Sequence, residues 1–191
     1  MGEKIKRGQV WIETVVYTLI GLILIAIVLA YVAPKINESK DAVLIEQSIG
    51  SMQLFGEKID ETLAGGIGTR SIISLTIKKG ELSIPLSELK NNTLVMKLTG
   101  LKKLYSENGL EISLDRVSVI SKEIAKSNEV SILLKASCPV YFCKSDSDSG
   151  CSVTPIILSA SSTPYKLSVE KALANDSLPQ AGIRINIREA S

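Results

Sequence analysis

Histidine is absent from all 191 residues. Its absence removes the commonest general base, the commonest zinc ligand and the side chain that most easily changes charge near neutral pH. A serine–histidine–carboxylate triad is therefore excluded, and no serine can be paired with a particular lysine from spacing alone. Aromatic residues make up only 4% of the chain, and the three cysteines are too few for a disulfide-dense scaffold. Net charge is nearly absent as well, +2 from 22 basic and 20 acidic side chains, which leaves no electrostatic footprint for nucleic acid. No phosphate-binding glycine loop is present. Gly65-Gly66-Ile67-Gly68 follows a helical pattern instead of opening one, so it reads as a terminator. The chain is not expected to be an enzyme. No catalytic residue, metal site or cofactor is expected either.

What is present is concentrated. Lys4, Lys6 and Arg7 stand against Glu3 in residues 1–8, and the rest of the chain carries 19 groups of each sign. Directly after them, Thr14 to Ala33 form a run of twenty residues without a charge, TVVYTLIGLILIAIVLAYVA. At about 1.5 Å per residue, a helix of this length spans the roughly 30 Å hydrocarbon core of a bilayer. The short basic flank is expected to stay cytoplasmic and everything after Pro34 to lie outside, giving a single-pass membrane precursor. A cleaved secretory signal would have a shorter apolar core followed by a small-x-small site. Here the run continues into the charged, helix-like KINESKDAVLIEQSIGSM.

Pro34 lacks an N–H and disfavours a helical Ala33, so a kink or break is expected there. An amphipathic helix follows, with Ile45, Ile49, Met52, Ile59 and Leu63 on one stripe and Phe55 close to it. Glu46, Gln47, Gln53, Glu57 and Lys58 occupy the other face, a pattern suited to packing against a globular domain. From Thr69 the texture changes to period two. Strands are expected at 71–77, 81–85, 93–98, 110–114, 116–121, 129–137, 154–159, 165–170 and 183–187, with Lys78-Lys79-Gly80 turning the first back into the second. The fold class is thus α+β: a long apolar N-terminal helix followed by an antiparallel, sandwich-like β-rich head. The expected divisions are 1–8, 9–33, 34–64 and 69–191.

Cys143 and Cys151 bracket a polar, turn-rich loop and are the first expected disulfide pair, with Cys138–Cys151 as the alternative. A zinc site would need a fourth ligand and the short two-residue spacing, both missing. Asp146, Asp148 and Gly150 do not meet the spacing of a calcium loop, because no glutamate follows at the required distance. Asn37, Asn91 and Asn175 each begin an N-glycosylation pattern, and Asn91 and Asn175 lie in the more polar surroundings.

Two features of the N-terminus remain: Gly8-Gln9 after a basic residue, and Glu13, a carboxylate at the margin of the apolar run, where a charge is costly unless paired. Together, RGQVWIE resembles the class III signal peptide of archaeal type IV pilins, over about residues 4–35. The resemblance implies that a prepilin peptidase cuts between Gly8 and Gln9, with Arg7 part of its recognition site. It implies that the new amino group of Gln9 pairs with Glu13 of a neighbouring subunit. A pilus assembly ATPase, a membrane platform and identical or related subunits would then be the partners, and the product a surface filament, with adhesion among its roles. A minor pilin or archaellin-like subunit, or a signal-anchored surface binding protein that never polymerises, are the alternatives.

Overall fold

A computed structural model describes residues 3–83, 93–125, 127–143, 151–152, 157–173 and 182–188. Helix α1 runs from Glu3 to Ala64. Eleven strands follow among the described residues: β1 Arg70–Leu75, β2 Glu81–Ser83, β3 Thr93–Leu101, β4 Glu111–Leu114, β5 Val117–Ile124, β6 Ser127–Lys135, β7 Val140–Cys143, β8 Cys151–Ser152, β9 Leu158–Ser159, β10 Tyr165–Ala172 and β11 Gly182–Arg188. The result is the expected α+β arrangement, one long helix and two antiparallel-rich sheets. The chain divides into two compact units, Met1–Lys40 and Asp41–Ser191, so the last part of α1 belongs with the strands.

The five-stranded sheet has the order β1-β10-β11-β7-β8 and the six-stranded sheet the order β4-β5-β6-β3-β2-β9. Register sets the core. One rung of the larger sheet runs Val119, Ile132, Met96, Leu82, Leu158, and all five are buried. The neighbouring rung aligns Val117, Leu134 and Leu94, again buried. The smaller sheet contributes Ile73, Leu75, Leu167, Val169, Ile183 and Ile185 to the same hydrophobic cluster. Strict alternation puts these side chains on one face of each pleated sheet. In β3 the alternation is interrupted: Leu98 and Leu101, three residues apart, are both buried. A register shift between them, with Gly100 at φ 71°, inserts a bulge and returns the second leucine to the core.

Helix α1 supplies the third part of this core. Ile45, Ile49, Met52, Phe55 and Ile59 are buried in it, and Leu63 is half-buried against it. These are the residues of the apolar stripe read from the sequence, and Glu46, Gln47 and Glu57 on the other face are exposed. Gly56 permits the close approach: a Cβ there would stand 2.8 Å from the Leu134 side chain.

Three expectations need correction. Of the kink or break expected at Pro34, the break is absent, since helix α1 runs on through it. A proline removes one intrahelical hydrogen bond, and the well-formed turns on either side carry the helix across that gap. Lys78-Lys79-Gly80 does not fold β1 back onto β2, since the two strands belong to different sheets. β1 instead pairs with β10 and β2 with β3 and β9, so the segment is a crossing between layers. β7 and β8 are strands where none was expected, and β7 lies parallel to β11 within the otherwise antiparallel sheets.

At the crossing, Gly80 has φ 84° and a Cβ there would fall 1.8 Å from the Lys97 carbonyl oxygen. Only glycine fits, because an L side chain would meet left-handed strain and fixed backbone together. Gly80→Ala is expected to cost at least about 2 kcal/mol and to lower the melting temperature of the detergent-solubilised chain by roughly 4 °C or more. An unchanged melting curve, followed by far-ultraviolet circular dichroism, would sink this assignment.

Candidate functional site

The N-terminal unit is dominated by exposed apolar side chains. Every large apolar residue from Trp11 to Val32 is exposed, with Trp11 and Tyr31 both at 71%. An eighteen-residue window of the helix has mean hydropathy 2.8 and none of it is buried. Leaving such area in water costs about 25 cal/mol per Å². A contiguous apolar surface of this size marks a membrane or protein contact. From Trp11 to Ala33 the helix rises roughly 35 Å. This is one N-terminal helix long and apolar enough to cross a membrane.

Its polar groups are arranged to limit their cost. Thr18 turns its hydroxyl back to donate to the Val15 and Thr14 carbonyl oxygens, at 2.9 Å and 3.1 Å. Glu13 is exposed near the beginning of the apolar run, and the Tyr17 hydroxyl one turn later lies 3.5 Å from its Oε1, a long and weak contact. Arg7, Gly8 and Gln9 lie within the helical backbone of α1. Gly8 eases local unwinding of this stretch, since glycine in a helix costs about 1 kcal/mol relative to alanine.

The head-bound part of α1 is held at both ends by polar contacts that no sequence pattern announces. At the near end, the Lys102 N–H donates to Asp41 Oδ2 at 2.6 Å, and the Lys79 ammonium stands 3.5 Å from the same carboxylate. At the far end, the last turn of α1 contains no basic residue. Lys171 on β10 supplies one from outside, donating to the carbonyl oxygens of Leu63 at 2.7 Å and Gly65 at 3.0 Å. The final carbonyls of a helix lack intrahelical partners and carry partial negative charge, so a cation there satisfies both needs. Between the ends, Asp60 forms an ion pair with Arg116.

A further charged cluster lies on the smaller sheet. Glu170 Oε2 accepts hydrogen bonds from Arg70 at 2.9 Å and from Arg184 at 3.0 Å. Burial pushes the Glu170 carboxyl up, but the hydrogen bonds and positive charges of the two arginines outweigh it and hold the group below the usual carboxylate range.

Of the cysteines, Cys138 is half-buried against the core. Cys143 and Cys151 are direct partners in the ladder between β7 and β8. Asn37 is exposed on α1, whereas Asn91, Asn175, Asp146 and Asp148 lie outside the described residues. The order of parts, a long apolar N-terminal helix followed by a β-rich region, is pilin-like. Comparison with protein-family profiles, with curated proteins and with solved structures finds no match.

Two measurements check the head contacts. Lys171→Met is expected to lower unfolding free energy by about 1–3 kcal/mol, because it leaves two helix-end carbonyls without their charged donor. A change within error in urea unfolding would refute the cap. A carboxyl held low in the fold adds stability above its unfolded value, about 4.3 for glutamate. That stability is lost as pH falls through the lower folded value. Wild type should therefore exceed Glu170→Gln in stability at neutral pH, and the gap should close below about pH 4. A gap constant from pH 3 to pH 7 would exclude ionisation of Glu170 as its source.

Proposed function

We propose that the chain is the precursor of a structural subunit of an archaeal type IV pilus-like surface filament, held in the membrane by α1 with its β-rich head outside. The observation that carries this reading is the division of labour along one helix. From Trp11 to Val32 its large apolar residues are all exposed, while from Ile45 to Ile59 a single stripe is buried in the head's own core. The first part therefore has surface to offer to lipid or to other helices, and the second fastens it to the head. Arg7, Gly8, Gln9 and Glu13 stand where a prepilin peptidase substrate has its cleavage signal and its charged residue.

In this reading the peptidase removes residues 1–8 on the cytoplasmic side and frees the α-amino group of Gln9. Before assembly, Glu13 sits at the membrane margin with only the long Tyr17 contact among the hydrogen bonds described for it. On assembly by the pilus ATPase and its membrane platform, the amine of a neighbouring subunit's Gln9 approaches the Glu13 carboxylate. Each charge then offsets the desolvation of the other, and the pairing sets the axial register of the helices. The apolar faces pack against each other by close van der Waals contact, as helices do when they leave lipid for one another.

Mass spectrometry of the chain recovered from its native cells tests the reading. A mature N-terminus at Gln9 is expected, and an N-terminus at Met1 or Gly2 would overturn it. Glu13→Ala is expected to leave the membrane-bound precursor at normal abundance and to reduce sheared surface filament at least tenfold. Normal filament from that variant would remove Glu13 from the assembly mechanism. Surface display with no filament in either strain would favour a non-polymerising anchor.

A further inference from the structure

We propose that Cys143 and Cys151 form a disulfide that fastens β8 to β7, and that Cys138 remains a thiol. Strand register brings the two residues together. Cys143 and Cys151 stand directly opposite each other in an antiparallel ladder. Opposed residues in such a ladder have Cα atoms about 4.5 or 5.5 Å apart, and disulfides bridge Cα separations of roughly 4.4–6.8 Å. The pair is within reach with no backbone movement.

The other pairings are out of reach. Val140 to Cys143 covers three strand steps, about 10 Å at 3.3 Å each. Cys138 precedes β7 in a bend and stays beside Ile183, the partner of Val140: the Ile183 N–H contacts its sulfur and donates to the Pro139 carbonyl oxygen at 2.8 Å. Cys138 is therefore well beyond the roughly 7 Å limit from Cys143, and from Cys151 opposite it. Its surroundings oppose exchange as well. It packs against the core, and burial pushes its thiol up, with a backbone contact from Ile183 only partly opposing this. Less thiolate means a poorer attacking group.

β8 also needs a bond of this kind. Among the described residues it has two, stands at the edge of its sheet and pairs with β7 alone. The intervening sequence KSDSDSG offers no apolar side chain to bury. A two-pair ladder closed by such a loop has little to set against the entropy of closing it.

The chemistry is balanced by a small-molecule disulfide of the glutathione class as oxidant. The two thiols give up two protons and two electrons as the S–S bond forms, and the oxidant's own S–S bond breaks to yield two thiols. That step in the cell rests on the head lying outside the membrane, as the proposed function has it, but not on polymerisation.

The test is peptide mapping of the full chain. It is extracted from its membranes in detergent, alkylated with iodoacetamide, digested without reduction and read by mass spectrometry. The expected result is one linked peptide pair containing Cys143 and Cys151 and an alkylated Cys138, with Cys138→Ser leaving the linked fraction unchanged and Cys143→Ser abolishing it. A link that includes Cys138 overturns the proposal. If all three cysteines are alkylated, the same extract is incubated with oxidised glutathione. Formation of the Cys143–Cys151 link under those conditions supports the pairing and removes the exported location of the head. Failure to form it overturns the pairing itself.

Discussion

The fold of the head depends on the burial of one helical stripe. Ile45, Ile49, Met52, Phe55 and Ile59 enter the space shared by the two sheets and are almost without exposure. At roughly 1.5–3 kcal/mol per large side chain, that burial is on the order of 10 kcal/mol, comparable to the whole net stability of an ordinary domain. The sheets face a helix without which their inner surfaces would be partly wet. Sheet and helix are thus not separable modules. This gives a reason why α1 continues past the apolar run instead of ending there.

The same helix carries two different patterns of side chains, and the patterns answer to two different surroundings. Apolar on every side from Trp11 to Val32, it cannot be satisfied by one protein face. Apolar on one stripe from Ile45 to Ile59, it needs a face and has one. In the proposed function this difference is what lets a subunit pass from lipid to a filament while its head stays folded. The surface that changes partners is not the surface that holds the head together.

Polar contacts refine the arrangement. Asp41 and Lys171 grip the two ends of the head-bound segment, and each satisfies backbone groups as well as charge. Glu170 ties β1 to β11 through Arg70 and Arg184 across the strand between them. Buried Ser121 does similar work for the loop after β3, accepting from the N–H groups of Tyr105 and Ser106 at 3.2 Å and 3.0 Å. Such groups fix which of several hydrophobically equivalent packings is adopted, since each must find its own partner.

The sequence by itself determined the features that have a local physical cause. The uncharged run from Thr14 to Ala33 makes a helix long and apolar enough to cross a membrane by composition alone, and the stripe from Ile45 to Ile59 follows from a 3.6-residue period. Most strand positions follow from a two-residue period, and the end of α1 at Ala64 from the glycine cluster behind it. The motif formed by Gly8, Gln9 and Glu13 is likewise local. Tertiary structure decided what depends on distant residues. β1 and β2 looked like a hairpin because the turn between them is short, yet each found a better partner in another sheet. The parallel pairing of β7 with β11, the cap that Lys171 places on a helix more than a hundred residues earlier, and the opposition of Cys143 to Cys151 leave no periodic trace. Period and composition report the surroundings of a segment, whereas pairing reports which other segment lies beside it, and only the closed sheets hold that information.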